Sequence, residues 1–347
     1  MAERQLVSSR CPGSCRPATM GVSLAALCLL ALGAACGGGI QMPPVSTSPA
    51  TTSPATTSPV TTSPVTTSPV VTSPAESLEA VTTSTYAPSL EENPNVDEVG
   101  LSRLLPLSYG DDPLQVGDLR IPPGKDTHPV VVLIHGGFWR SGFDKSLMTL
   151  LAEDATERGA ATWNVEYRSV GDPGGGYPGT LLDIARAIDH LAQVDEPLDL
   201  DDVTVIGHSA GGHLALWAGS RSLLAPGDPG ASPVVEPHTV VAQAAVVDLY
   251  KAAETNLGFS AVEALLGGEP DEVPDHYRVA QPVLDAQRVV AVHGRYDQVV
   301  PISQSGLLPE AIGIFSDTGT HFDVLDPHHD LWLRTMAELG LEASNQP

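Results

Sequence analysis

The chain has 347 residues and carries 42 acidic against 17 basic side chains, a formal net charge of −25. So acidic a surface repels polyphosphates and anionic headgroups, which argues against nucleic acid as a partner. With 42% hydrophobic residues there is apolar material for a substantial core, and no cysteine follows Cys36, so anything folded beyond it is held without disulfides.

Residues 1–36 read as an export signal. Arg4, Arg10 and Arg16 form a basic beginning, and Val22 to Leu32 is an apolar run too short to span a bilayer. The run ends Leu32-Gly33-Ala34-Ala35-Cys36, where small residues before a cysteine resemble the bacterial lipobox. In a lipobox the cysteine becomes the lipidated first residue of the mature protein, although Gly33 stands where leucine is usual. The expectation is a cell-surface lipoprotein lipidated at Cys36, touching the membrane through that anchor only; the alternative is an ordinary secretory signal.

Residues 37–95 are of low complexity, with Thr-Ser-Pro recurring every five residues at Pro49, Pro54, Pro59, Pro64, Pro69 and Pro74. Proline blocks helices and sheet ladders, and the segment has almost nothing apolar to bury. It is expected to be a disordered, extended stalk reaching on the order of 100 Å. Thr/Ser/Pro tracts of exported proteins also invite O-glycosylation.

Residues 96–347 contain the periodic apolar runs. Val130–Ile134 predicts a buried strand. The spacing of Leu147, Leu150, Leu151 and Ala155 predicts a helix over 144–158. Ala160–Val165 predicts a strand, and Leu181–Leu191 a helix with Leu182, Ala185, Ile188 and Leu191 on one face. Val203–Ile206 predicts a short strand and Ala210–Ser220 a helix. Strands follow at Val240–Val246, Val289–Val292 and Ala311–Phe315, and Leu331–Leu339 predicts a closing helix. Strands alternating with helices imply an α/β fold with a mostly parallel sheet covered on both faces, whose chemistry lies at the carboxyl ends of the strands.

Gly207-His208-Ser209-Ala210-Gly211 lies between a predicted strand and a predicted helix. A serine on so sharp a turn projects its hydroxyl beyond the sheet, beside the positive end of the helix. Ser209 is therefore the candidate nucleophile. His135-Gly136-Gly137-Phe138-Trp139 follows the strand Val130–Ile134. Acyl transfer develops an oxyanion that needs preorganised N–H donors, so the backbone of Gly137 or Phe138, with that of Ala210, is the candidate oxyanion hole. His135 is expected to brace the loop, and Trp139 to line the substrate pocket. Asp297 follows the strand Val289–Val292 in His293-Gly294-Arg295-Tyr296-Asp297 and is the candidate for orienting an imidazole. Among eleven histidines, His321 follows the last predicted strand and is preferred as base over His328 and His329. The adjacent pair has no helical partner four residues away, so no metal site is assigned.

Together these residues resemble the α/β-hydrolase superfamily, most nearly the esterase/lipase branch that includes feruloyl and acetyl-xylan esterases and the related kynurenine formamidases. The resemblance spans about residues 100–340. It rests on His135-Gly136-Gly137-Phe138-Trp139-Arg140, Tyr167-Arg168, Gly207–Gly211, His293-Gly294-x-x-Asp297 and His321-Phe322. It implies a three-layer α/β/α sandwich and a hydrolase without cofactor, acting on a small-molecule ester or amide through an acyl-enzyme. Residues 221–288 would hold a cap, with Phe259, Tyr277 and Leu265–Leu266 as candidate lining. The first reading is a surface-tethered serine carboxylesterase with Ser209, His321 and Asp297 as its triad; an arylformamidase is the alternative, against which export counts, and a noncatalytic surface binding module is the other; oligomeric state is not read from the sequence.

Overall fold

The computed structural model describes residues 101–124, 126–283 and 288–342. The expected signal, Cys36 and the Thr/Ser/Pro stalk lie outside the described residues. Eight strands form one sheet in the order β1-β2-β4-β3-β5-β6-β7-β8. The strands are β1 (Arg103–Ser108), β2 (Val116–Ile121), β3 (His128–Ile134), β4 (Ala161–Val165), β5 (Leu198–His208), β6 (Thr239–Gln243), β7 (Arg288–Gly294) and β8 (Ile312–Ser316). From β4 through β3 to β8 every pairing is parallel, whereas β1–β2 and β2–β4 are antiparallel. The expected mostly parallel sheet is present, with an antiparallel hairpin at one edge that the apolar patterning did not reveal. β1 is largely exposed, so it lacks the continuous apolar run that marks the central strands.

Alternation along the strands makes two cores. In β3, Val130, Val132 and Ile134 face one apolar layer, while Val131 and Leu133 face the other. The first layer is covered by α2 (Gly179–His190) and α3 (Ala210–Gly219), the second by α1 (Thr149–Glu157) and α7 (Asp330–Glu338). This is a three-layer α/β/α sandwich. Every residue of α3 is buried, because it packs under the centre of the sheet.

Three details differ from the sequence reading. The helix expected over 144–158 opens with a tight turn at Lys145–Met148, capped by Asp144. That turn shifts the phase, so Met148 and Leu151 are buried while Leu147 and Leu150 are exposed. β6 stops at Gln243 rather than continuing to Val246, because Ala244 takes a left-handed backbone (φ 47) and turns the chain out of the sheet. The segment expected to form a cap contains α4 (Leu249–Glu254), α5 (Ala261–Leu266) and α6 (Pro274–Ala280). Leu265, Leu266 and Tyr277 pack into the core beneath it, leaving Phe259 outermost. No helix among the described residues is long and apolar enough to cross a membrane.

Candidate active site

The parallel order reverses at β3: β4 lies on one side and β5 on the other, so the loops leaving β3 and β5 diverge and open a crevice. The turn from β5 into α3 holds Ser209 at φ 56, ψ −117, a backbone region L-residues rarely occupy. Its N–H is held by the Gln243 carbonyl at 2.8 Å. Ala210 is the first residue of α3, so its N–H has no acceptor within the helix.

The loop after β3 lies directly against this turn. A Cβ on Gly136 would fall 2.8 Å from the His208 carbonyl oxygen and 3.0 Å from Ser209 Cβ, so only glycine permits the approach. Gly137 follows at φ 116, then Phe138 and Trp139, both at φ 54. Among the described residues, no acceptor engages the backbone N–H of Gly137, Phe138 or Ala210. His135 anchors the loop from below: its ring stacks on Tyr167 at 4.3 Å, its Nε2 meets Glu166 Oε1 at 3.1 Å, and the Tyr167 hydroxyl donates to its carbonyl at 2.9 Å. The reversal at Phe138 and Trp139 separates their side chains. Phe138 remains half-buried against Gly258. Trp139, expected on the pocket wall, is instead buried in the core, edge-on to His213 at 5.3 Å. The left-handed turn directs the larger ring inward, and this corrects the expectation.

Asp297 and His321 come together at the ends of β7 and β8. His321 Nδ1 lies 2.7 Å from Asp297 Oδ2. A carboxylate oxygen can only accept, so Nδ1 carries the proton and Nε2 is left as a lone pair. Asp297 Oδ1 accepts the N–H groups of Val299 at 2.7 Å and Val300 at 2.8 Å. Burial works to raise the pKa of Asp297, but the hydrogen bonds from His293 and His321 outweigh it and hold the group well below the usual carboxylate range. It stays ionised.

His208 joins the two halves of the site. Its Nε2 donates to the His321 carbonyl at 3.0 Å, and the two rings lie 4.7 Å apart. Burial, with His321 adding to it, pushes His208 down to about 3, so it remains neutral at ordinary pH. Among the described residues no hydrogen bond joins the Ser209 hydroxyl to His321. His329 caps α7 by accepting the Leu331 N–H, and His328 is exposed; neither contacts Asp297. No group of three or more metal-binding side chains occurs among the described residues.

Two contributors escaped the sequence reading. His293 was recognised only as part of a motif; its place four residues before Asp297 was the available signal. Arg140 donates from Nη2 to the Phe259 carbonyl at 2.5 Å and ties the glycine loop to the segment between α4 and α5. No local pattern announces so distant a partner.

The BD-FAE family model matches residues 118–312, more than half of the chain. The chain belongs to the BD-FAE family. It is thus an α/β-hydrolase of an esterase family, a carboxylic ester hydrolase. Solved structures of similar fold include a truncated carbohydrate esterase from gut microbiota, at TM-score 0.58 and 20% identity over 72% of this chain and 99% of that one. Esterase B from Lactobacillus rhamnosis gives TM-score 0.58 and 24% identity over 69% and 87%. A bifunctional GH43-CE protein of Bacteroides eggerthii gives TM-score 0.55 and 24% identity over 66% of this chain, which spans only 37% of that protein. No curated protein matches the chain.

Proposed function

We propose that this BD-FAE member hydrolyses short acyl esters through Ser209 as nucleophile, His321 as general base and Asp297 as the acid that orients it. The observation carrying this reading is the junction at the crevice. Ser209 sits on a left-handed turn, the glycine loop packs so close that a Cβ on Gly136 would crowd it, and a buried carboxylate sets the tautomer of His321, whose ring lies 4.7 Å from that of His208 in the same turn.

His321 Nε2 takes the Ser209 proton as Oγ attacks the acyl carbonyl. Asp297 stabilises the imidazolium that forms. The N–H of Ala210, with that of Gly137 or Phe138, receives the developing oxyanion; these donors are already oriented, so they need little reorganisation as charge grows. His321 returns the proton to the departing alcohol, and water then cleaves the acyl-enzyme by the same route. The neighbour described as a carbohydrate esterase supports an acylated sugar as the alcohol side. The N-terminal pattern ending at Cys36 supports export and tethering by a lipid, with residues 37–95 as spacer.

The test is turnover of p-nitrophenyl acetate, acetylated xylo-oligosaccharide and N-formylkynurenine by the purified protein. Acetyl esters should turn over and Ser209→Ala should abolish the reaction; an unchanged rate in that variant would refute the assignment. Preference for the formamide would replace the ester reading by an arylformamidase. For the tether, labelled palmitate should enter the wild type and not Cys36→Ala.

A further inference from the structure

Asp297 serves two imidazoles. Besides His321, His293 Nε2 lies 3.0 Å from Asp297 Oδ2 and 3.0 Å from the Val300 carbonyl oxygen. Its Nδ1 lies 2.7 Å from Ser305 Oγ. His293 and the Asp297 side chain are both fully buried. The tautomer follows from the partners. Both atoms facing Nε2 can only accept, so Nε2 carries the proton. In the Nε2–H tautomer Nδ1 presents a lone pair, and the Ser305 hydroxyl donates to it.

From this geometry we infer that His293 is a positioning residue for the reaction, and that Ser305 and His293 form a chain of donors ending on Asp297, the acceptor that His321 also uses. The inference rests on the triad assigned above. Ser305 donates to His293, His293 donates to Asp297, and His321 donates to the same Oδ2. The β7 strand delivers His293, and the chain turns back within four residues to bring Asp297 against its ring. The Val299 and Val300 amides fix Oδ1, while His293 fixes Oδ2, so the carboxylate cannot rotate away from His321.

The second donor also divides the charge on Oδ2. One oxygen that accepts two N–H groups holds each less strongly than if it accepted one. His293 therefore moderates how tightly Asp297 retains the proton on His321, and with it the pH at which the base becomes free. Of the other titratable or charged groups, His208, at the end of β5, interacts with this carboxylate, while Arg295, two residues before it in the chain, turns its guanidinium outward to Asp317 at 2.8 Å. Neither donates to Asp297 Oδ2.

The experiment compares His293→Leu, His293→Gln and Ser209→Ala in the full-length protein, with pH profiles of kcat and kcat/KM on p-nitrophenyl acetate. In His293→Leu, kcat should fall about 10- to 100-fold with KM nearly unchanged. The acid limb of kcat/KM should move to higher pH, because Asp297, relieved of one donor, holds the His321 proton more firmly. His293→Gln keeps an N–H near the position of Nε2 and should restore most of the rate and the original limb. A limb that stays in place in folded His293→Leu, with kcat within twofold of wild type, overturns the inference. Should His293→Leu fail to fold, nitrogen-15 NMR of the wild type decides: the Nε2–H tautomer at His293 supports the inference, and the Nδ1–H tautomer overturns it. If Ser209→Ala keeps full activity, the triad and the inference fall together. If Ser209→Ala is inactive while His293→Leu behaves as wild type, only the inference falls.

Discussion

Gly211→Ala opposes two rules and tests the packing around Ser209. Gly211 lies in the first turn of α3, where alanine is ordinarily better than glycine by about 1 kcal/mol. Here the new methyl would stand 2.2 Å from the Ile134 carbonyl oxygen and 2.3 Å from that of His135. Both are backbone atoms at the end of β3, where the glycine loop begins, and neither can swing aside as a flexible side chain would. Overpacking of this kind costs about 1–3 kcal/mol, and contacts this short belong at the upper end. Subtracting the helical gain leaves a net loss on the order of 2 kcal/mol, or a melting temperature lower by roughly 4–8 °C. Relief of the clash pushes α3 from β3 and moves the Ala210 N–H relative to the Phe138 loop. Displacing one oxyanion donor costs about 100-fold in kcat. Urea unfolding and p-nitrophenyl acetate hydrolysis measure the two effects on one preparation. Gly306→Ala is the control, since its methyl would meet nothing within 4 Å. A Gly211→Ala protein at least as stable as wild type, with wild-type turnover, would refute the reasoning.

Acidification should destabilise the fold well above the usual carboxylate range. Burial lowers His208 to about 3 and His213 to about 4, so between these values and the ordinary histidine range the unfolded chain binds protons that the folded chain does not. Stability is therefore fully present above about pH 6.5 and falls as pH drops, by as much as 1.4 kcal/mol per unit for each group, roughly. The depressed Asp297 adds a loss of the same sign at lower pH, once the unfolded carboxylate begins to protonate. Urea midpoints at pH 7.5 and 5.0 check this; an equal or higher midpoint at pH 5.0 contradicts it. Asp183→Asn should lose about 3 kcal/mol, because buried Asp183 accepts Gln115 Nε2 and Arg168 Nη2 at 2.7 Å on one oxygen and Arg168 Nε at 2.7 Å on the other. A loss below about 1 kcal/mol in urea unfolding would show that the pair is dispensable.

The central strands were legible because they are buried on both faces and carry short, mostly apolar runs, as Val130–Ile134 does. α3 was legible from its glycine- and alanine-rich opening after β5. The edge hairpin was not, since Arg103–Ser108 mixes Arg, Pro and Ser with half-buried leucines and shows no run. Leu147 and Leu150 misled because a capped tight turn precedes α1, and its phase is invisible to a helical count. At the candidate site, spacing was enough to nominate Ser209, Asp297 and His321. It could not show that Asp297 also binds His293, or that Trp139 turns inward, because both depend on backbone reversals set by distant packing.

Phenylalanine is scarce, with five in the chain, and three of them are exposed: Phe143, Phe259 and Phe322. Phe143 lies over Gly137, Phe322 lies beside His321, and the Phe259 carbonyl is tied to Arg140 of the glycine loop. Such sticky ground would favour self-association in a neutral protein. The net charge of −25 opposes it, since molecules of one sign repel before their apolar rims meet. Protonating the surface carboxylates weakens the repulsion while the phenylalanines stay outside, so solubility is expected to fall as the pH is lowered.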